Sequence, residues 1–169
     1  ANTQWIAKAA ATWSMEYDMT AVETGTTDTT RTSNKVRFFK SVYKMEIHQP
    51  VDTVYKYRIL VVRVLSNMAI SQVDPEDVLE RGVDSDYLML SGYQKMSDRD
   101  QTKHIKYIIV RDIKRVIDTT KGKNKLVTRM NIAIPGANVE YDTDYANGTV
   151  GKNKLGLFVL TDATATSAT

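Results

Sequence analysis

Lys35-Val36-Arg37-Phe38-Phe39-Lys40-Ser41-Val42-Tyr43-Lys44-Met45-Glu46-Ile47-His48-Gln49 reads as one β-strand, because β-branched and aromatic residues dominate it and neither Gly nor Pro interrupts it. Four cations, Lys35, Arg37, Lys40 and Lys44, ride on this strand. A cation on a strand must reach water or an anion to avoid a desolvation cost, so the stretch predicts a polyanion-facing surface. Immediately upstream, seven of the fifteen residues 20–34 are Thr, with Gly25 among them and no apolar periodicity. That composition predicts an extended polar loop whose backbone finds partners in water or in its neighbours.

Further strand signals recur on both sides. Residues 13–19 alternate Trp13, Met15, Tyr17 and Met19 against Ser14, Glu16 and Asp18. Residues 54–65 form an apolar strand, joined to residues 35–49 by the turn at 48–53 with Pro50, and the two predict a long hairpin. Residues 105–118 place Ile105, Tyr107, Ile109, Ile113 and Ile117 on one face, but Arg111 and Arg115 fall on that same face, which predicts a bulge or an edge position. Residues 126–134 alternate cleanly and stop at Pro135-Gly136, and residues 155–161 are the last clear strand. Residues 3–11 favour a short helix by propensity. Asp74-Pro75-Glu76-Asp77 supplies a cap, a Pro at the first helical position and an acidic first turn, predicting a short helix over residues 74–81. One firm helix among roughly six or seven strands excludes an alternating β-α plan and predicts an all-β antiparallel sandwich, barrel or jelly roll. Gly-Lys-Asn-Lys-Leu occurs at residues 122–126 and again at 151–155, each time before a strand, which reads as one turn solution used twice.

The 169 residues suffice for one domain that buries about two-thirds of its unfolded surface without disulfide or metal support. The net charge of +3 conceals segregation. Residues 35–63 carry seven cations and two anions, residues 64–94 one cation and six anions, and residues 95–125 ten cations and four anions. Alternating basic and acidic blocks suit polyanion binding or contact between unlike faces of identical subunits, and a solvated surface is the plainer alternative. No apolar run approaches the roughly 18–20 residues that span a bilayer, and residues 1–19 lack the pattern of a signal peptide, so a soluble chain without membrane contact is expected.

Catalytic chemistry finds little material. Cysteine is missing from the sequence, and His48 and His104 lie far from any nucleophile-elbow pattern. Metal-ligand spacing of histidines is lacking, and the Gly-Lys pairs at 122–123 and 151–152 have no P-loop context. Asp74, Glu76, Asp77, Glu80, Asp84 and Asp86 crowd thirteen positions that a hard cation would accept, but without EF-hand spacing a solvated acidic loop is the better reading. Asn147-Gly148-Thr149 reads as a turn. No catalytic residue, metal or cofactor is expected, and the chain is read as a non-enzyme.

The cations are more specific. Lys103, Lys106, Arg111, Lys114, Arg115, Lys121, Lys123 and Lys125 add to those of residues 35–44 and offer sequence-independent, salt-dependent phosphate contacts. Phe38, Phe39, Tyr43, Tyr55, Tyr57 and Tyr107 are interleaved with them and could stack single-stranded bases, though core packing is the better reading for any one of them.

Thr24-Gly25-Thr26 and Arg31-Thr32-Ser33-Asn34 through Tyr43 resemble the loop and first strand of coat proteins from geminiviruses, circoviruses and related circular Rep-encoding single-stranded DNA viruses, and are similar to satellite-virus coat proteins. The order continues with residues 57–63, 105–118 and 151–162, so the resemblance covers about residues 13–162. It implies a single jelly roll, an eight-stranded antiparallel sandwich, with residues 1–34 as an N-terminal extension, residues 35–169 as the domain and one short helix in a loop. It implies self-assembly into a small icosahedral T=1 shell of about sixty subunits, located in the virion and, for a DNA virus, in the host nucleus during assembly. The genome implied is single-stranded DNA, held by Arg37, Lys40, Lys44, Lys106, Arg111, Lys114 and Arg115. Alternatives are a satellite-like RNA virus coat protein, a non-viral β-sandwich module binding carbohydrate or protein, or a hydrolase on the same scaffold. Two departures stand out: residues 1–31 contain only Lys8 and Arg31 as cations where the family has a basic arm, and residues 163–169 are not strand-like where the family has a further strand. The expectation is that both segments lie outside this sequence.

Overall fold

In the computed structural model, which describes residues 14–48, 54–79, 106–133 and 138–161, ten strands follow one another. They are β1 (Met15–Asp18), β2 (Lys35–Arg37), β3 (Lys40–His48), β4 (Val54–Val64), β5 (Met68–Ala69), β6 (Tyr107–Asp118), β7 (Lys125–Ala133), β8 (Asn138–Tyr141), β9 (Val150–Lys152) and β10 (Lys154–Thr161). A single helical turn, α1 (Pro75–Val78), and two 3-10 turns, Ile70–Gln72 and Thr119–Lys121, complete the described residues. The protein is all-β with antiparallel ladders, as the recurring strand pattern predicted.

Ile59, Leu60, Val61 and Val62 explain the arrangement. All four are 0% exposed, and successive apolar positions bury both faces of a strand only inside a sheet. β4 accordingly lies between β10 and β6 in a sheet ordered β1-β10-β4-β6. Tyr57, Ile59 and Val61, with Leu155, Leu157 and Val159, pack against Met45, Met130 and Ile132 of the β3–β7 pair. Leu60, Val62 and Val64, with Phe158 and Leu160, pack against Ile70, Val73, Val78 and Leu79, which follow β5 in the chain. Burial of each such side chain contributes about 1.5–3 kcal/mol.

The pairing is nested. Met15 faces Val159, Lys35 faces Glu140, Lys40 faces Ala133 and Val54 faces Asp118, so the two halves of the chain pair from the outside inward like one long hairpin. That hairpin is folded over, because β4 also pairs with β10 along Val64–Lys154 to Tyr57–Thr161. β1, from the segment read as an extension, thus contributes a strand to the main sheet.

The structure departs from several expectations and meets one, the irregularity in residues 105–118. The strand predicted over residues 35–49 is two strands, β2 on β8 and β3 on β7. Val36 and Phe38 turn inward before the break and Ser41, Tyr43, Met45 and Ile47 after it, so the alternation slips by one residue where Phe39 and Lys40 are both exposed. The predicted hairpin between β3 and β4 does not form; β3 pairs with β7, while β4 lies between β10 and β6 in another sheet. The apolar face predicted for residues 105–118 is divided by a bulge opposite Val61 and Val62, the irregularity that Arg111 and Arg115 anticipated. Tyr107 and Ile109 therefore turn to one core, Ile113 and Ile117 to the other. Finally, the two Gly-Lys-Asn-Lys-Leu copies differ: the left-handed residue is Gly122 in the first and Asn153 in the second. The predicted helix shrinks to the one turn of α1, within the described residues. The helix predicted at 3–11, the turn residues 49–53, His104, Ile105 and Ile134 lie outside the described residues, as do Glu80, Asp84 and Asp86.

Candidate nucleic-acid interface

The β3–β7 pair buries one face and exposes the other. Tyr43, Met45, Ile47, Leu126, Met130 and Ile132 turn to the core. Period-two alternation then turns Lys40, Val42, Lys44, Glu46 and His48 outward, together with Lys125, Val127, Arg129 and Asn131. Register places Lys44 opposite Arg129 and His48 opposite Lys125. Like charges directly across a ladder are destabilising, so this face is costly for the fold on its own and is relieved by an anion.

Glu46 is the anion the chain itself provides. Lys44 Nζ lies 2.9 Å from its Oε1, and Lys125 Nζ lies 2.7 Å and His48 Nε2 3.8 Å from its Oε2. Hydrogen bonds from Lys125 and then Lys44 bring the carboxyl down from 4.5 to about 2. A lowered carboxyl pKa contributes stability that is present above pH 4.5 and is lost as the pH falls through about 2. The side-chain carboxyl carbon of Glu46, followed by NMR, is expected to titrate with a midpoint near 2; an ordinary midpoint would mean that the lysines do not hold it.

Of the residues singled out in the sequence, Lys40 and Lys44 are together on this face. Lys125, already counted among the basic residues of 95–125, and Arg129, whose only signal in the sequence was the alternation of residues 126–134, join them from β7. Arg37 is exposed on β2, its guanidinium carbon 5.0 Å from the centre of the Phe39 ring. Lys106, Arg111, Lys114 and Arg115 are exposed at or just before β6, which belongs to the other sheet. Register puts Arg111 and Arg115 on one side of that strand, opposite Val61 and Tyr57, and Lys114 on the other, opposite Arg58. Cations along the last strand of a sheet also guard its edge against unwanted pairing. Asp112 is engaged by the fully buried Arg58, whose Nε and Nη2 donate to its two oxygens at 2.9 and 2.6 Å. The structure therefore divides the predicted set among strands of three sheets. Tyr57 and Tyr107 are buried, and Phe38, Tyr43 and Tyr55 pack against the core, leaving Phe39 as the aromatic free to meet a ligand among the six named.

The Thr-rich loop has a different task. Arg31 is buried, donates from Nε to the Val22 carbonyl at 3.0 Å and from Nη1 to Asn34 Oδ1 at 2.8 Å, and lies 4.3 Å from the centre of the Tyr141 ring. The Tyr141 hydroxyl donates to the Thr20 carbonyl at 2.6 Å, and burial, reinforced by the Asp18 charge, pushes its pKa up to about 12. Beneath it Lys154, 0% exposed, donates to the Gly148 carbonyl, to the Thr149 carbonyl at 2.8 Å and to Asp18 Oδ2 at 2.5 Å. Gly148 has φ 69, and a Cβ there would stand 2.3 Å from the Val22 carbonyl oxygen, so only glycine lets the two loops meet. This buried node ties the loop to β1 and β10 and leaves its cation facing inward.

No protein-family model matches the chain, and no curated protein does. Among the described residues no group of His, Cys, Asp or Glu is arranged to hold a metal, and no helix is long and apolar enough to cross a membrane.

Proposed function

We propose that this chain is a viral coat protein, a jelly-roll subunit that self-assembles into a small icosahedral shell and packages a single-stranded genome, DNA in preference to RNA. The observation that carries the reading is the nested pairing of β1 with β10, β3 with β7 and β4 with β6, which a long hairpin folded into a jelly roll would give, with a basic surface on the β3–β7 side. Lys40, Lys44, Lys125 and Arg129 bind phosphates without reading sequence, and Arg37, on β2 beside the Phe39 ring, adds a further cation. Lys106, just before β6, and Arg111, Lys114 and Arg115 on it serve either the genome or a neighbouring subunit, to which Asp74 and Asp77 offer the opposite charge. The chain acts by binding and assembly rather than catalysis, in the virion and, for a DNA genome, in the host nucleus while shells form.

A satellite-like RNA coat protein differs only in the nucleic acid held, which phosphate contacts do not distinguish. A carbohydrate- or protein-binding module would present aromatics away from cations, whereas Phe39 lies against Arg37. Negative-stain microscopy of the purified full chain tests the reading. Closed particles of uniform diameter are expected, and a chain that stays monomeric at every concentration and salt overturns it.

A further inference from the structure

The geometry points to Phe39 as a base-stacking platform at the end of the basic β3–β7 face, so that the ligand of this surface is single-stranded rather than duplex nucleic acid. The inference rests on the proposed function and adds the form of the ligand. Phe39 is 71% exposed, more than any other large apolar side chain among the described residues. Leaving a phenyl ring in water forgoes about 1.5–3 kcal/mol of burial, and the adjacent Phe38 does pack into the core, so the fold itself has no use for the second ring. The break between β2 and β3 is what turns it out: the alternation slips there by one residue, and Phe39 and Lys40 are exposed in succession. Arg37 holds its guanidinium carbon 5.0 Å from the ring centre, within cation–π range, and steadies the ring against one side. Beyond Lys40, the exposed Val42 continues the apolar strip between that lysine and Lys44.

A ring flanked by cations on a rigid sheet is the combination that holds single strands, because bases stack on the ring while lysines track the phosphates. A duplex keeps its base faces covered by their neighbours and offers the ring nothing. Polyphosphate offers charge alone. The ring therefore discriminates among polyanions that the lysines treat alike.

Fluorescence anisotropy with oligo-dT, oligo-rU, a blunt DNA duplex and polyphosphate separates these contributions. Phe39→Ala is expected to weaken oligo-dT and oligo-rU binding about tenfold while leaving duplex and polyphosphate binding unchanged. Phe39→Trp is expected to restore single-strand affinity, with its added emission quenched on binding. Single-strand binding by Phe39→Ala equal to that of the unaltered chain, or an equal loss for polyphosphate, overturns the inference. Lys40→Glu/Lys44→Glu tells the two readings apart. If it abolishes binding while Phe39→Ala changes nothing, the basic surface stands and the stacking platform falls; if neither variant changes binding of any polyanion, both fall.

Discussion

Lys154→Ala is expected to destabilise the chain by about 3–5 kcal/mol, the cost of leaving a buried charge without its partner. Lys154 is 0% exposed, and its ammonium group binds the carbonyls of Gly148 and Thr149 and Oδ2 of Asp18 on β1, whose Oδ1 accepts from the Thr20 N–H and hydroxyl. Removing it leaves a carboxylate and two carbonyls facing a cavity. Burial lowers the lysine's pKa, and the hydrogen bond and charge of Asp18 work against that shift. For a chain of this size the loss corresponds to a fall in the unfolding midpoint on the order of 10 °C. Lys154→Met combined with Asp18→Asn removes both charges and keeps the volume, and is expected to recover most of the stability. Urea unfolding of the two variants decides the matter: a loss below about 1 kcal/mol for Lys154→Ala would mean that the node is not what secures the Thr-rich loop and β1 to β10.

The second large effect separates binding from folding. Lys44 and Arg129 stand opposite each other across the β3–β7 ladder, and their mutual repulsion costs stability. Lys44→Gln/Arg129→Gln is therefore expected to leave folding stability unchanged or raise it by a few tenths of a kcal/mol. Oligonucleotide affinity is expected to fall roughly 10- to 100-fold, and the slope of log affinity against log salt to shrink by about 2, one for each phosphate contact removed. Glu46 retains Lys125 in the variant, so the local ion cluster is not dissolved. A variant that binds with an unchanged salt slope would remove Lys44 and Arg129 from the interface.

Fold class was legible because it is written in local pattern. The apolar run of residues 54–65 marked a strand, the clean alternation of residues 126–134 marked another, and Asp74-Pro75 marked the helical turn α1. Partner choice was not legible, since β3 meets β7 from the far half of the chain and nothing near residues 49–53 reveals that β3 turns away from β4. The division of residues 35–48 into two strands depends on the same long-range pairing, which resets the alternation at Phe39. The candidate interface was half visible: the positions of Lys40 and Lys44 were clear, but Arg129 became their neighbour only through register. The two Gly-Lys-Asn-Lys-Leu copies make the limit plain. Lys125 in the first is exposed and grips Glu46, while Lys154 in the second is buried against Asp18. Identical local sequence met different surroundings, and the surroundings decided the role.

The central claim, a shell closed around a single-stranded genome, is tested most directly by nuclease digestion of whatever co-purifies with the protein at particle size, before and after the particles are disrupted. The expected result is nucleic acid that resists nuclease in intact particles and becomes sensitive to a single-strand-specific enzyme once they are opened. Protein that sediments as a monomer, with the ultraviolet absorbance ratio of nucleic-acid-free protein, would contradict the account.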